Sequence, residues 1–105
     1  MRDISETDVP LGHVYGLVAS DEPLQIRYVG KCEQSPFHRL IDHLRLRSTN
    51  RGFCDWVRQV KGRGAAVRMR ILGSYPVKDL ARAERHWIVF WRDYCSLFNR
   101  ALPYR

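Results

Sequence analysis

The stretch HVYGLVASDEPLQIRYVGKC, residues 13–32, decides the fold. Over residues 13–19 the β-branched and aromatic side chains Val14, Tyr15 and Val18 favour extended chain, and over 25–32 Ile26, Tyr28 and Val29 do the same. Between them Ser20, Asp21, Glu22 and Pro23 supply turn chemistry, which predicts an antiparallel hairpin. Each arm sets a tyrosine near a glycine, as Val14-Tyr15-Gly16 and as Tyr28-Val29-Gly30. Glycine inside a strand marks a bend or a close approach. Paired strand tyrosines by themselves amount to ordinary cross-strand packing.

Downstream of the hairpin, Ser35-Pro36 has the chemistry of a helix start, since serine caps orphan amides and proline suits the first helical position. Phe37, Leu40, Ile41 and Leu44 then fall at i, i+3, i+4 and i+7, one apolar stripe of a helix running to about residue 47. Arg39 and His43, four residues apart, share a flank beside that stripe. A shorter helix over 52–61 carries Phe53, Trp56, Val57 and Val60 on its buried face, and Gly62 and Gly64 end it. Over 66–73, Val67, Met69 and Ile71 alternate with Arg68 and Arg70, which predicts a third strand with one basic face. A long helix over 77–94 follows, with Leu80, Ala83, Trp87, Ile88 and Trp91 on its apolar side, and Leu97, Phe98 and Asn99 return to the body.

The order strand, strand, helix, helix, strand, helix predicts an α+β domain, a small three-stranded antiparallel sheet flanked by about three helices. Residues 1–11, polar and acidic with Pro10, read as a flexible arm, and 12–105 as the domain. A chain of 105 residues builds one core. Its 18 basic against 11 acidic side chains give +7, a field that attracts polyanions and makes nucleic acid the expected partner. Cys32, Cys54 and Cys95 form no C-x-x-C pair and read as free thiols of a reducing compartment. No apolar run nears the ~20 residues of a spanning helix, so the expectation is a soluble cytoplasmic protein that avoids membranes.

Glu84 is the least expected residue, because it shares helical spacing with Leu80, Trp87, Ile88 and Trp91 and so lies within an apolar stripe. An unpaired charge there is costly, and something positive must meet it. An arginine would make it a buried pair; a hard cation such as magnesium would make it a metal ligand.

Taken together, Tyr15, Tyr28, Gly30, Lys31, Arg39, His43, Glu84 and Asn99, in that order and spacing from about residue 13 to 99, resemble the GIY-YIG nuclease family. The signature tripeptides read His13-Val14-Tyr15 and Tyr28-Val29-Gly30 here, with His13 in place of the first glycine and valine twice in place of isoleucine. The resemblance implies a magnesium-dependent endonuclease, with manganese as a substitute, hydrolysing phosphodiester bonds in nucleic acid, DNA above all. It implies that Tyr15 activates the water, Tyr28 joins the water or phosphate network, Arg39 stabilises the phosphoryl charge and Glu84 binds the metal. His43 would relay the proton of Tyr15 or orient a neighbour, and Asn99 would tether the tail. Because a free phenol with pKa near ~10 is a poor base at neutral pH, this role needs positive charge, from Lys31 or the metal, to favour phenolate.

The basic residues Arg45, Arg47, Arg51, Arg58, Lys61 and Arg63 are the expected backbone-contact surface. With the chain spent on one core, selectivity falls to shape, to self-association as a homodimer, or to a protein partner for targeting. Two competing readings keep the fold and drop the chemistry: a silent nucleic-acid or protein adaptor, and a regulatory protein whose +7 charge meets an acidic partner.

Overall fold

The middle of the sheet is β1 (Leu11–Ala19), with β2 (Tyr28–Cys32) on one side and β3 (Val67–Pro76) on the other, both antiparallel to it. The computed structural model describes residues 10–33, 35–45 and 50–99. Helices α1 (Pro36–Leu44) and α2 (Arg51–Gly62) link β2 to β3, and α3 (Val77–Arg92) follows β3 directly. The fold is therefore α+β, a three-stranded antiparallel sheet with three helices among the described residues.

A central strand is covered on both faces, which is why β1 is buried without interruption from Val14 to Ala19. Its odd residues Tyr15, Leu17 and Ala19 pack with Phe53, Trp56, Val57 and Val60 of α2. Val14 and Val18 face the other way and join Ile26, Val29, and Leu80 and Ile88 of α3. The sheet thus lies between two helical layers, and each large side chain buried there contributes about 1.5–3 kcal/mol.

Local chemistry sets the ends of the elements. Asn50 caps α2 by accepting from the Phe53 amide at 3.1 Å. At the other end Gly64 turns left-handed (φ 81°), its amide bonding the Lys61 carbonyl at 3.0 Å while the Ala65 amide bonds that of Val60 at 3.0 Å. This is the paired closure that a glycine just past a helix permits. Ser35, expected to cap α1, makes no side-chain cap, although Pro36 does begin the helix.

The structure departs from expectation elsewhere too. β2 starts at Tyr28 rather than 25, though the preceding Arg27 amide still bonds Leu17 at 2.8 Å. β3 runs on to Pro76 and leaves no loop before α3, and a register shift against Val14 and Tyr15 makes a bulge at Leu72. α1 ends at Leu44, and residues 46–49, on which the rest of the expected helix falls, lie outside the described residues, as do 1–9 of the expected arm. Phe37 does not join the core: it is 66% exposed, whereas Leu40 and Leu44 of the same stripe pack on the α2 side.

The tail returns to the body through Phe98, whose amide bonds the Arg27 carbonyl at 2.7 Å. The Phe98 ring packs against Phe53 and Trp56, and the Arg27 guanidinium lies 4.5 Å over it. Among the described residues no helix is long and apolar enough to cross a membrane.

Candidate functional site

The β1–β2 register sets Tyr15 opposite Gly30 and Leu17 opposite Tyr28, so both tyrosines stand on the face that α1 and α2 cover. There Tyr15 Oη lies 2.6 Å from Nε2 of His43 on α1. The imidazole is held edge-on by three rings, with centroids 5.7 Å from Tyr15, 5.2 Å from Tyr28 and 5.4 Å from Phe53. Gly30 is what lets the phenol lie flat across β2. A Cβ there would strike Tyr15 Oη and sit 2.5 Å from Cζ.

Arg39 lies one helical turn before His43 and reaches the same hydroxyl, which it biases toward ionisation. Burial outweighs it. The Tyr15 phenol is pushed above its ordinary value by desolvation first and by Tyr28 second. His43 is pulled down to about 4, by desolvation first and by Arg39 second. At neutral pH the pair is therefore phenol and neutral imidazole, with the Tyr15 hydroxyl donating to Nε2. Among these side chains the positive charge that faces the hydroxyl is that of Arg39, and by itself it does not overcome desolvation.

Glu84 approaches from α3, in the opposite layer, and is half-buried. Burial raises its pKa, against the pull of Lys31 and Arg39. The same carboxylate raises Tyr28, after desolvation and against Arg39. Glu84, Lys31, Tyr28 and Arg39 thus act on one another around β2, an edge strand of the sheet. Among the described residues Glu84 makes no hydrogen bond and no salt bridge, and the positive charge that acts on it is that of Lys31 first and Arg39 second.

Asn99 holds that edge closed. Its Oδ1 accepts from the Val29 amide at 2.9 Å and its Nδ2 donates to the Val29 carbonyl at 2.7 Å, as a neighbouring strand would. Asn50 in turn donates to the Phe98 carbonyl at 2.5 Å, which fixes the tail next to α2.

At Arg39 opens a cleft of about 380 Å³, whose wall includes none of Tyr15, Tyr28, His43 and Glu84. Lys31 and Arg39 line it together with Glu33, His38 and Asp42, and Cys32 and Ser35 complete the wall. Apart from Lys31 and Arg39, none of these was expected as a site residue from the sequence, where Ser35 reads as a helix start and Cys32 as a free thiol. The one available signal was spacing, since His38 and Asp42 neighbour Arg39 at i−1 and i+3 on α1.

The expected nucleic-acid surface divides. Arg45, Arg51 and Lys61 are exposed. Arg58, also exposed, pairs with Asp55 at 3.3 Å. Arg63 binds Asp21 through two bonds of 2.7 and 2.9 Å and Glu22 at 3.2 Å, so its charge is met by the hairpin turn. Arg47 lies outside the described residues.

Among known proteins, no family model, no curated protein and no solved structure matches this chain.

Proposed function

We propose that the chain is a magnesium-dependent endonuclease of the GIY-YIG type, hydrolysing phosphodiester bonds in nucleic acid, with DNA the favoured substrate. The observation that carries this reading is the part-buried Tyr15–His43 hydrogen bond of 2.6 Å beside Arg39, on a sheet edge where the half-buried Glu84 feels Lys31 and Arg39. A desolvated tyrosine with a neutral histidine as acceptor is costly to build for packing alone. It is well suited to passing a proton.

Tyr15 is fully buried, so in this reading substrate binding opens the edge beside Arg39 to admit the attacking water, which gives its proton to the Tyr15 oxygen as the Tyr15 proton passes to His43 Nε2. Hydrolysis adds the hydroxyl of that water to phosphorus and breaks the bond to the leaving oxygen, which takes a proton from solvent, while His43 later returns its own to solvent. The free imidazole, at about 4, is a weak acceptor because burial and Arg39 both oppose its charge. A bound phosphodiester brings a negative charge that offsets Arg39, so His43 becomes more basic when substrate is present. Arg39 offers a guanidinium to the phosphoryl oxygens as their charge grows, and Tyr28 hydrogen-bonds the same network.

Glu84 would hold the magnesium. Among the described residues no three His, Cys, Asp or Glu side chains gather around a metal position, so a closed protein cage does not fit. A single half-buried carboxylate, which among the described residues makes no salt bridge, does fit a magnesium completed by phosphate and water. When bound, that ion supplies Lewis-acid charge at the phosphoryl and leaving oxygens. Arg45, Arg51 and Lys61 are exposed and among the described residues make no salt bridge, which leaves them to contact flanking backbone, while Arg58 pairs with Asp55 and Arg63 with Asp21 and Glu22.

A magnesium titration with end-labelled single-stranded, double-stranded and branched DNA tests the proposal. Magnesium-dependent cuts in at least one substrate are expected. Binding without cuts at any magnesium concentration would instead make the chain a silent adaptor, and neither would leave it a protein-interaction module.

A further inference from the structure

The outer side of α3 is built of rings. Phe90 lies 5.8 Å from Trp87, 5.1 Å from Trp91 and 5.2 Å from Tyr94, centroid to centroid. Trp87 and Trp91 pack against the core cluster of Val14, Val18 and Leu80, yet Phe90 is 41% and Tyr94 68% exposed. Helical spacing sets Ala83, Trp87, Phe90 and Tyr94 along one stripe, at i, i+4, i+7 and i+11. A contiguous apolar stripe left in water marks an interaction surface.

The rim of the stripe says which partner it suits. Arg82, His86 and Asp93 are exposed on one flank, and helical backbone continues through Asp93. Arg82 and Asp93 stand three turns apart on that flank, about 16 Å along the helix. Neither makes a salt bridge among the described residues. Asp79 precedes Arg82 by about a turn on the same side. Two acids against one arginine would repel a run of phosphates, which sets this face apart on a chain of charge +7. The same local balance lets two copies of the chain approach here without the repulsion of their net charge.

From the stripe and its rim we infer that α3 pairs with α3 of a second copy, antiparallel about a two-fold axis near Trp87 and Ile88. Such an axis keeps each flank on its own side, so Arg82 of each copy meets Asp93 of the other, and the pair forms twice. The same register sets Phe90 over Ala83 of the second copy, where a small side chain leaves room for a ring, and brings the Tyr94 hydroxyl near Asp79 of that copy as its acceptor. His86 of both copies flanks the axis. The contact is self-complementary and closes at two chains. It stands apart from the nuclease reading, because Glu84 follows Ala83 by one residue and points about 100° away around the helix.

Sedimentation velocity of the full chain over a range of concentrations reads the association directly. Wild type is expected as a monomer–dimer equilibrium, and Phe90→Ala should weaken it about tenfold or more, as truncating an anchor aromatic does. Arg82→Asp and Asp93→Arg should each weaken it about tenfold, because each reversal sets like charges against each other at two places. Both reversals in one chain restore the pairing, so the double variant should return to within about threefold of wild type. The three side chains are exposed, and circular dichroism confirms that each variant is folded. As a second readout, His86→Cys should link two copies by a disulfide under oxidation, above the wild-type background, whereas Lys78→Cys, exposed on the far flank, should not. A chain monomeric up to about 1 mM, a dimer that Phe90→Ala leaves intact, or reversals that do not rescue each other would overturn the inference, as would no link at position 86 or an equal link at 78.

Discussion

Replacing Gly30 by alanine adds one methyl group, and the structure says where it goes. The new Cβ would strike the Tyr15 hydroxyl, with Cζ 2.5 Å and Cε1 3.0 Å away. Tyr15 has 0% exposure and cannot swing into solvent. Either β1 and β2 part locally or the ring shifts and its hydroxyl leaves His43. Overpacking a buried site costs about 1–3 kcal/mol. Stranding a buried hydrogen-bond partner costs about 1–3 kcal/mol more. Alanine recovers up to about 1 kcal/mol of glycine's backbone entropy, which leaves a net loss on the order of 2–4 kcal/mol. For a domain of this size that lowers Tm by roughly 10–25 °C.

Urea denaturation of wild type, Gly30→Ala, Tyr15→Phe and the double variant measures the cost and its origin. Tyr15→Phe removes the hydroxyl that the methyl strikes and the hydrogen bond that a ring shift would break, while the contacts with Cζ and Cε1 remain, so the double variant should be less destabilised than the sum of the singles by about 1 kcal/mol. The reasoning fails if Gly30→Ala stays within about 0.5 kcal/mol of wild type (the ordinary scatter of harmless surface changes), or if the two changes add without coupling.

Three further outcomes follow from the same geometry. Glu84→Gln should stabilise the fold: the folded-state pKa of Glu84 is raised, so its contribution is favourable at low pH and lost as pH rises through that value. The neutral amide should gain up to about 1 kcal/mol at pH 7 after solvent screening, and a thermal melt that falls instead would contradict it. His43 behaves in the opposite sense, because its pKa is depressed to about 4; its neutral form favours folding above the unfolded value of 6.5, and that contribution fades as pH drops toward 4. Accordingly kcat/KM should show no acid limb near pH 6.5, and a limb at 6.5 that disappears in His43→Gln would refute the assignment. Asn99→Ala removes the two bonds to Val29 and should cost about 1–2 kcal/mol, and unchanged denaturation would mean the tail is not fastened there.

Much of the fold was legible because strands and helices write different periods into sequence. The hairpin arms, the turn between them and the alternation ending in Arg68 and Arg70 needed only local chemistry, and the observed three strands agree with them. Period alone gives the direction of a side chain around a helix and says nothing about where the sheet beneath it stops, which is why Phe37 was assigned to the core and stands in water. The Asn50 cap was readable, three residues before a buried Phe53, and was passed over for Gly52. The pairing of Arg63 with Asp21 was not readable, since its partners lie 41 and 42 residues away in a turn.

The candidate site divides along the same line. Glu84 announced itself as a charge within an apolar stripe, and Arg39 and His43 as neighbours on one flank, because those are facts about one helix each. The protonation of Tyr15 depends on how deeply three other elements bury it. A sequence lists the residues around a phenol and does not give its dielectric surroundings, so the balance between Arg39 and desolvation emerged only with the packed fold. The mixed-charge cleft was hidden for a related reason: Glu33, His38 and Asp42 are unremarkable polar residues until α1 is set beside the end of β2.

The most direct test of the central claim is single-turnover cleavage of labelled flapped DNA in magnesium by wild type, Glu84→Gln and Tyr15→Phe, each checked by circular dichroism. The account predicts cutting by wild type alone, with both variants folded and slowed at least a hundredfold. Wild-type rates in folded Glu84→Gln, or no cutting by wild type on any DNA or RNA, would contradict it.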